Sequence, residues 1–110
     1  MGEKKTALRG ARHTREREVE SWLVTLANRQ GWMCIKFIPD NMPGMPDRMI
    51  LMPGGRVVWV ELKRPAGGVV AELQKVRREQ LERAGQEVRL VLTREQAEEL
   101  VLELRGRRSP

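Results

Sequence analysis

The sequence predicts an α/β fold in which a mixed central β-sheet is flanked by α-helices. Three observations carry this expectation. Apolar residues recur at helical spacing in three stretches, alternating or β-branched runs fall between them, and most changes of period are marked by proline, glycine or a capping residue. The resulting order is α-β-β-β-α-β-α, and 110 residues suffice for one such core but not for two.

The first helix is expected from Thr14, a candidate N-cap followed by Glu16 and Glu18, with Val19, Trp22, Leu23, Leu26 and Ala27 at helical spacing and Gly31 as its stop. Residues 1–13 ahead of it read as a basic segment. Met33, Ile35 and Phe37 then alternate with Cys34 and Lys36, the pattern of a half-buried strand ending before Pro39. Residues 39–46 hold three prolines and a glycine, so they form an irregular loop that delivers Asp47. Arg48 to Met52 is a short apolar run, Pro53-Gly54-Gly55 is a turn, and Arg56 to Lys63 is rich in residues that favour strands; together they make a β-hairpin. Past Pro65-Ala66-Gly67-Gly68, a second helix carries Leu73, Val76, Gln80, Leu81 and Ala84 and closes at Gly85. Val88 to Leu92 is the last strand. Thr93 and Gln96 form a capping box that opens a third helix through Ala97, Leu100, Val101 and Leu104. One domain is therefore expected over 14–104, with a basic tail at 105–110.

Composition narrows the chemistry. A hydrophobic fraction of 40% and a charged fraction of 33% suit a soluble globular domain, and no stretch approaches the ~18 apolar residues of a membrane span. The basic N-terminal segment is followed by no apolar region of the secretory kind, so a cytoplasmic location and no membrane partner are expected. A single cysteine, Cys34, and a single histidine, His13, exclude an internal disulfide, a multi-cysteine zinc site and paired-histidine metal sites. Carboxylate chemistry remains. The net charge of +6 is concentrated at the ends, +4 over residues 1–17 and +3 over 105–110, leaving −1 between them. Basic ends suit attraction to phosphate backbones, although solubilising tails have the same composition.

The informative motif is Glu61 and Lys63 on one strand, with Asp47 fourteen residues before Glu61. Alternation puts Val57, Trp59, Glu61 and Lys63 on one face and Val58, Val60 and Leu62 on the other, with Glu61 and Lys63 ~6.5–7 Å apart along the strand. The hairpin brings Asp47 to the same edge. Two convergent carboxylates completed by waters and phosphate oxygens form the oxygen-rich site that Mg²⁺ prefers, and a neighbouring lysine can act on a water. The same spacing also fits a sheet-edge ion pair with Asp47 merely following a turn, and spacing alone does not separate the two.

Pro46-Asp47 followed by Glu61-Leu62-Lys63 is similar to the Pro-Asp…(Asp/Glu)-X-Lys signature of the PD-(D/E)XK nuclease superfamily. The fuller string of Gly44-Met45-Pro46-Asp47-Arg48, Pro53-Gly54-Gly55-Arg56, Val60 to Lys63 and Leu73-Gln74 resembles its virus-type replication-repair nuclease branch, VRR-NUC. The resemblance spans Glu16 to Leu92, roughly 70% of the chain. It implies a restriction-endonuclease-like fold and a deoxyribonuclease dependent on Mg²⁺ or Mn²⁺. It further implies that Asp47 and Glu61 are metal ligands, with the backbone carbonyl of Leu62 as a further one. Lys63 becomes the water-activating group, and Gln74, eleven residues past Lys63, becomes a site glutamine; otherwise it is a solvated helix-flank residue. Glu16 is the best match to the family's helical glutamate, because Val19 and Leu23 follow at the family's spacing, and Glu20, one turn on, could replace it. Small members of the family resemble Holliday-junction resolvases, which implies branched DNA as substrate, a homodimer, and a viral or prophage setting in DNA replication and repair. One rival is a nucleic-acid-binding module that keeps the fold without the chemistry, disfavoured by the joint presence of Asp47, Glu61 and Lys63; a second is a structural subunit of a larger assembly.

The remaining residues take plainer expectations. His13 has no evident partner and reads as a solvated or phosphate-touching residue and not a base, while Cys34 and Met42, Met45, Met49 and Met52 read as packing atoms, since soft sulfur does not suit a hard cation. Trp22 and Trp59 are expected in the core; Trp32 could stack on a base, but so few aromatic residues argue against a single-strand platform.

Overall fold

The computed structural model describes residues 2–63 and 69–107, with side chains described for 16–63 and 71–107. The elements are α1 (Gly2–Arg29), β1 (Met33–Lys36), β2 (Arg48–Met52), β3 (Arg56–Glu61), α2 (Val69–Arg83), β4 (Glu87–Leu90) and α3 (Arg94–Gly106), in the order the sequence predicts. One mixed sheet runs β1-β2-β3-β4, antiparallel between the first three strands and parallel between β3 and β4. The β2–β3 pair follows from a short connection: Pro53–Gly55 turn in a single 3-10 step, with Gly54 and Gly55 both at positive φ that other residues rarely adopt. The parallel pair needs a crossover, and α2 supplies it.

Val19, Leu23 and Ala27 of α1 and Ala97, Leu100, Val101 and Leu104 of α3 close over Ile50, Met52, Val58, Val60 and Leu62 to form the core. Each fully buried leucine, isoleucine or valine among them stabilises the fold by roughly 1.5–3 kcal/mol. Thr93 caps α3 as expected, its Oγ1 accepting from the Gln96 N–H at 3.0 Å. The reciprocal bond differs by one residue, because Gln96 Oε1 accepts from Leu92 N–H at 2.7 Å and not from Thr93.

Several expectations are corrected. Helix α1 does not begin at Thr14 but runs unbroken from Gly2, since residues 2–13 are mostly helix-favouring alanine, leucine, lysine, arginine and glutamate. Helix α2 is shallower than its pattern implies: Val76 is 41% exposed, Gln80 and Ala84 are exposed, and none of its described side chains is fully buried. Trp32 is a core residue, consistent with the argument against a stacking platform: its backbone N–H donates to the Ala27 carbonyl at 3.0 Å. Trp22, expected in the core, is only half-buried at its margin. Arg107, placed in a solvated tail, instead donates to Glu87 at 2.5 Å and to Glu103, while Arg89 grips Glu103 through both guanidinium nitrogens. These arginines hold both carboxyl groups below their ordinary range. Cys34 packs against the core, and burial pushes its thiol up to about 11, as a packing atom requires. The side chain of His13, the turn at 65–68 and the tail at 108–110 lie outside the described residues. Among the described residues, no helix is long and apolar enough to cross a membrane.

Candidate active site

The site forms where β2 and β3 end. Their register pairs Arg48 with Val60, so Asp47 and Glu61 stand one step beyond, directly across the hairpin. Asp47 is fixed on both sides: its carbonyl accepts from Phe37 N–H at 3.0 Å, and its Oδ2 accepts from Leu62 N–H at 2.9 Å. Glu61 is anchored through its own carbonyl, which accepts from Val91 N–H at 2.9 Å. Backbone pairing thus presents two carboxylates to each other with little freedom.

The electrostatics record this proximity. Burial pushes the Glu61 carboxyl up to about 8, helped by a hydrogen bond with Asp47 and by Asp47's negative charge, while Lys63 and Arg78 pull it down. A carboxyl so raised beside a second carboxylate is a centre that lacks positive charge. The buried Oε1 of Gln74 has no hydrogen-bond partner among the described residues, which rules out the solvated-flank reading of that glutamine.

Two contacts bring α2 to the site. Arg77 Nε donates to the Pro43 carbonyl at 2.9 Å, and Gly44, at φ +89°, lies so close to Leu73 that an added Cβ would meet its backbone carbonyl carbon at 2.8 Å. The loop before Asp47 can therefore reach the helix that carries Gln74 only with glycine at position 44.

On the α1 side, a cavity of about 270 Å³ is walled by Glu16, Arg17 and Glu20 of α1, Lys36 and Ile38 of the β1 end, and Asp47, Leu62 and Lys63. Glu16 and Glu20 both face it, but their states differ. Glu20 is held by Arg48 Nε at 2.9 Å, and Arg48 also donates to the Cys34 carbonyl at 3.1 Å, whereas Glu16 forms no ion pair among the described residues. Glu61 and Gln74 lie outside this wall. A larger cavity, about 440 Å³, surrounds Trp22 and includes none of the carboxylates at the hairpin end. The larger volume therefore lies away from the paired carboxylates.

Arg17, Lys36, Ile38, Arg48 and Arg78 were not anticipated at the site. Arg78 carried a readable signal, one helical turn past Gln74 on the same face of α2. Lys36 and Ile38 carried none, because the pairing of β1 with β2 is set across the irregular loop.

Among the described residues, no three His, Cys, Asp or Glu side chains gather as a ligand cluster. The charged donors here are the two carboxylates, and a hard cation that keeps waters and substrate oxygens needs few more. The pair, the raised Glu61 and the orphaned Gln74 oxygen fit a divalent cation.

No family model matches the chain. A solved structure of a VRR_NUC domain superposes with a TM-score of 0.70 at 22% identity, over 80% of this chain and 95% of that chain. The chain has the VRR-NUC fold. A protein of Acyrthosiphon pisum secondary endosymbiont phage 1, "Putative nuclease p44", is 35% identical over 51 residues, 46% of this chain. The aligned stretch is 55% of that protein, so the match spans about half the length of this relative. The mixed sheet with helices on it is the VRR-NUC arrangement that the sequence resemblance implied.

Proposed function

We propose that this VRR-NUC fold is a metal-dependent deoxyribonuclease that hydrolyses phosphodiester bonds. The observation that carries the reading is the pair Asp47 and Glu61, set across the hairpin end with the Glu61 carboxyl pushed up to about 8. The donor set of two carboxylates and the Leu62 carbonyl suits Mg²⁺ or Mn²⁺, which favour oxygen ligands. Bound there, the cation would supply Lewis-acid neutralisation of the charge that builds on the phosphate.

The chain's own residues divide the remaining work. The Leu62 N–H holds the Asp47 carboxylate in one orientation, so its position is set before substrate arrives. Lys63, exposed at the rim, holds the attacking water in place through Nζ and offsets negative charge on the phosphate. Gln74 Oε1 accepts the hydrogen bond that orients that water. Glu16 adds a carboxylate from α1, and Arg78 offsets part of the Glu61 charge. The substrate in this reading is branched DNA such as a four-way junction, nicked by a homodimer, in the replication and repair of viral or prophage DNA in the host cytoplasm. The name of the phage relative supports only the nuclease and phage parts of this reading.

Separating the roles tests the reading. Asp47→Ala and Glu61→Ala should lose both Mn²⁺ affinity and cleavage. Lys63→Ala should keep Mn²⁺ affinity in titration calorimetry and lose roughly 10²–10⁴-fold in rate. Wild-type cleavage by Lys63→Ala would reduce Lys63 to an ion-pair partner at the sheet edge.

A further inference from the structure

The cavity around Trp22 takes no part in the chemistry above. It is an open hollow of about 440 Å³ lined by Arg17, Glu18, Ser21, Trp22 and Arg94. Arg17 also walls the cavity at the carboxylates, so the two hollows share one side chain of α1. The Trp22 ring is pinned, its indole N–H donating to Glu98 Oε1 at 3.0 Å. The guanidinium groups of Arg94 and Arg29 lie 4.6 and 5.3 Å from its centroid.

Stacking on an aromatic face orders an arginine without neutralising it. Among the described residues, Arg17, Arg29 and Arg94 form no ion pair, whereas Arg48, Arg89 and Arg107 all do. The one carboxylate lining this cavity is Glu18, and that of Glu98 is engaged by the indole. Guanidinium groups already ordered and still charged lose little freedom on meeting an anion, and their planar fork matches phosphate oxygens.

We infer that this groove is the track for the DNA backbone flanking the scissile phosphate. Arg94 and Arg29 each take one phosphate, and Arg17 joins the track to the carboxylates. The identity of the polyanion as DNA rests on the nuclease reading; the groove itself rests on Trp22 and its arginines.

The test is binding of a short fluorescent DNA duplex to the whole chain by anisotropy, with Ca²⁺ in place of Mg²⁺, over a series of salt concentrations. Arg94→Ala and Arg29→Ala should each weaken binding and flatten the slope of log Kd against log salt by about 0.9, the counterion release of one phosphate contact. Arg105→Ala, which removes the same charge near the other end of α3, should leave the slope at its wild-type value. Wild-type slopes in Arg94→Ala and Arg29→Ala, or equal flattening in Arg105→Ala, would overturn the track. Because the assay needs no turnover, a chain that binds as described but cuts nothing contradicts the nuclease reading alone. One that cuts while both groove variants bind like wild type contradicts the track alone.

Discussion

At the scale of single residues, Glu61 carries the carboxyl pushed furthest from its ordinary range among the described residues. Its carboxyl is pushed up to about 8 from an ordinary 4.5 by burial first and by Asp47 second. A folded-state value above the unfolded one means that the native chain binds the proton more tightly. This contribution to stability is full below pH 4.5 and is lost as pH rises through about 8. Glu61→Gln should therefore raise the melting temperature of the metal-free protein at pH 8.5 and leave it nearly unchanged at pH 4.5, which scanning calorimetry at the two pH values will read. An equal shift at both would show that Glu61 is not in the strained pair described. The roles of individual residues were unevenly legible beforehand. Asp47 and Glu61 could be paired from the sequence because a short turn fixes the hairpin register. Gln74 could be read only as one of two things, since enclosure of its Oε1 depends on how α2 sits. Of the two tryptophans expected in the core, Trp59 is buried and Trp22 sits only at the core margin, because helical period does not fix depth.

At the scale of elements, the site depends on how the loop before Asp47 meets α2. The element order was legible because it is written in local periods of 3.6 and 2. Depth of burial was not, since Val76 and Gln80 satisfy the helical pattern of α2 yet face solvent. Gly44 is where loop and helix touch, at a φ of +89° and within reach of the Leu73 backbone. Gly44→Ala should cost about 1–3 kcal/mol from the combined backbone strain and overpacking. It should also lower cleavage more than an equally destabilising change in the core, such as a truncation at Leu100, because it moves Asp47 relative to Gln74. Denaturant melts beside cleavage rates will decide this. Matched activity in the two variants would mean that the loop packs for stability alone.

At the scale of the whole molecule, the basic ends are not equivalent. Arg107 is spent on Glu87 and Glu103, whereas Arg17, Arg29 and Arg94 form no ion pair among the described residues. The small footprint of such a domain should make a monomer bind duplex weakly and with strong salt dependence, and two-fold association would set two reactive centres at a fixed separation. Light scattering with cleavage of matched junction and linear DNAs should show a dimer that prefers the junction. A strict monomer cutting both equally would remove the resolvase-like part of the reading and leave the nuclease. The nuclease itself stands on the paired carboxylates needing a divalent cation, and cleavage of DNA by the purified chain with Mg²⁺ or Mn²⁺, then with excess chelator, tests that need directly. Cleavage should appear with either ion, stop in chelator and return when the ion is restored, because Lys63 alone cannot neutralise the charge that develops on the phosphate. Cleavage that continues undiminished in excess chelator, or none with either ion, would contradict it.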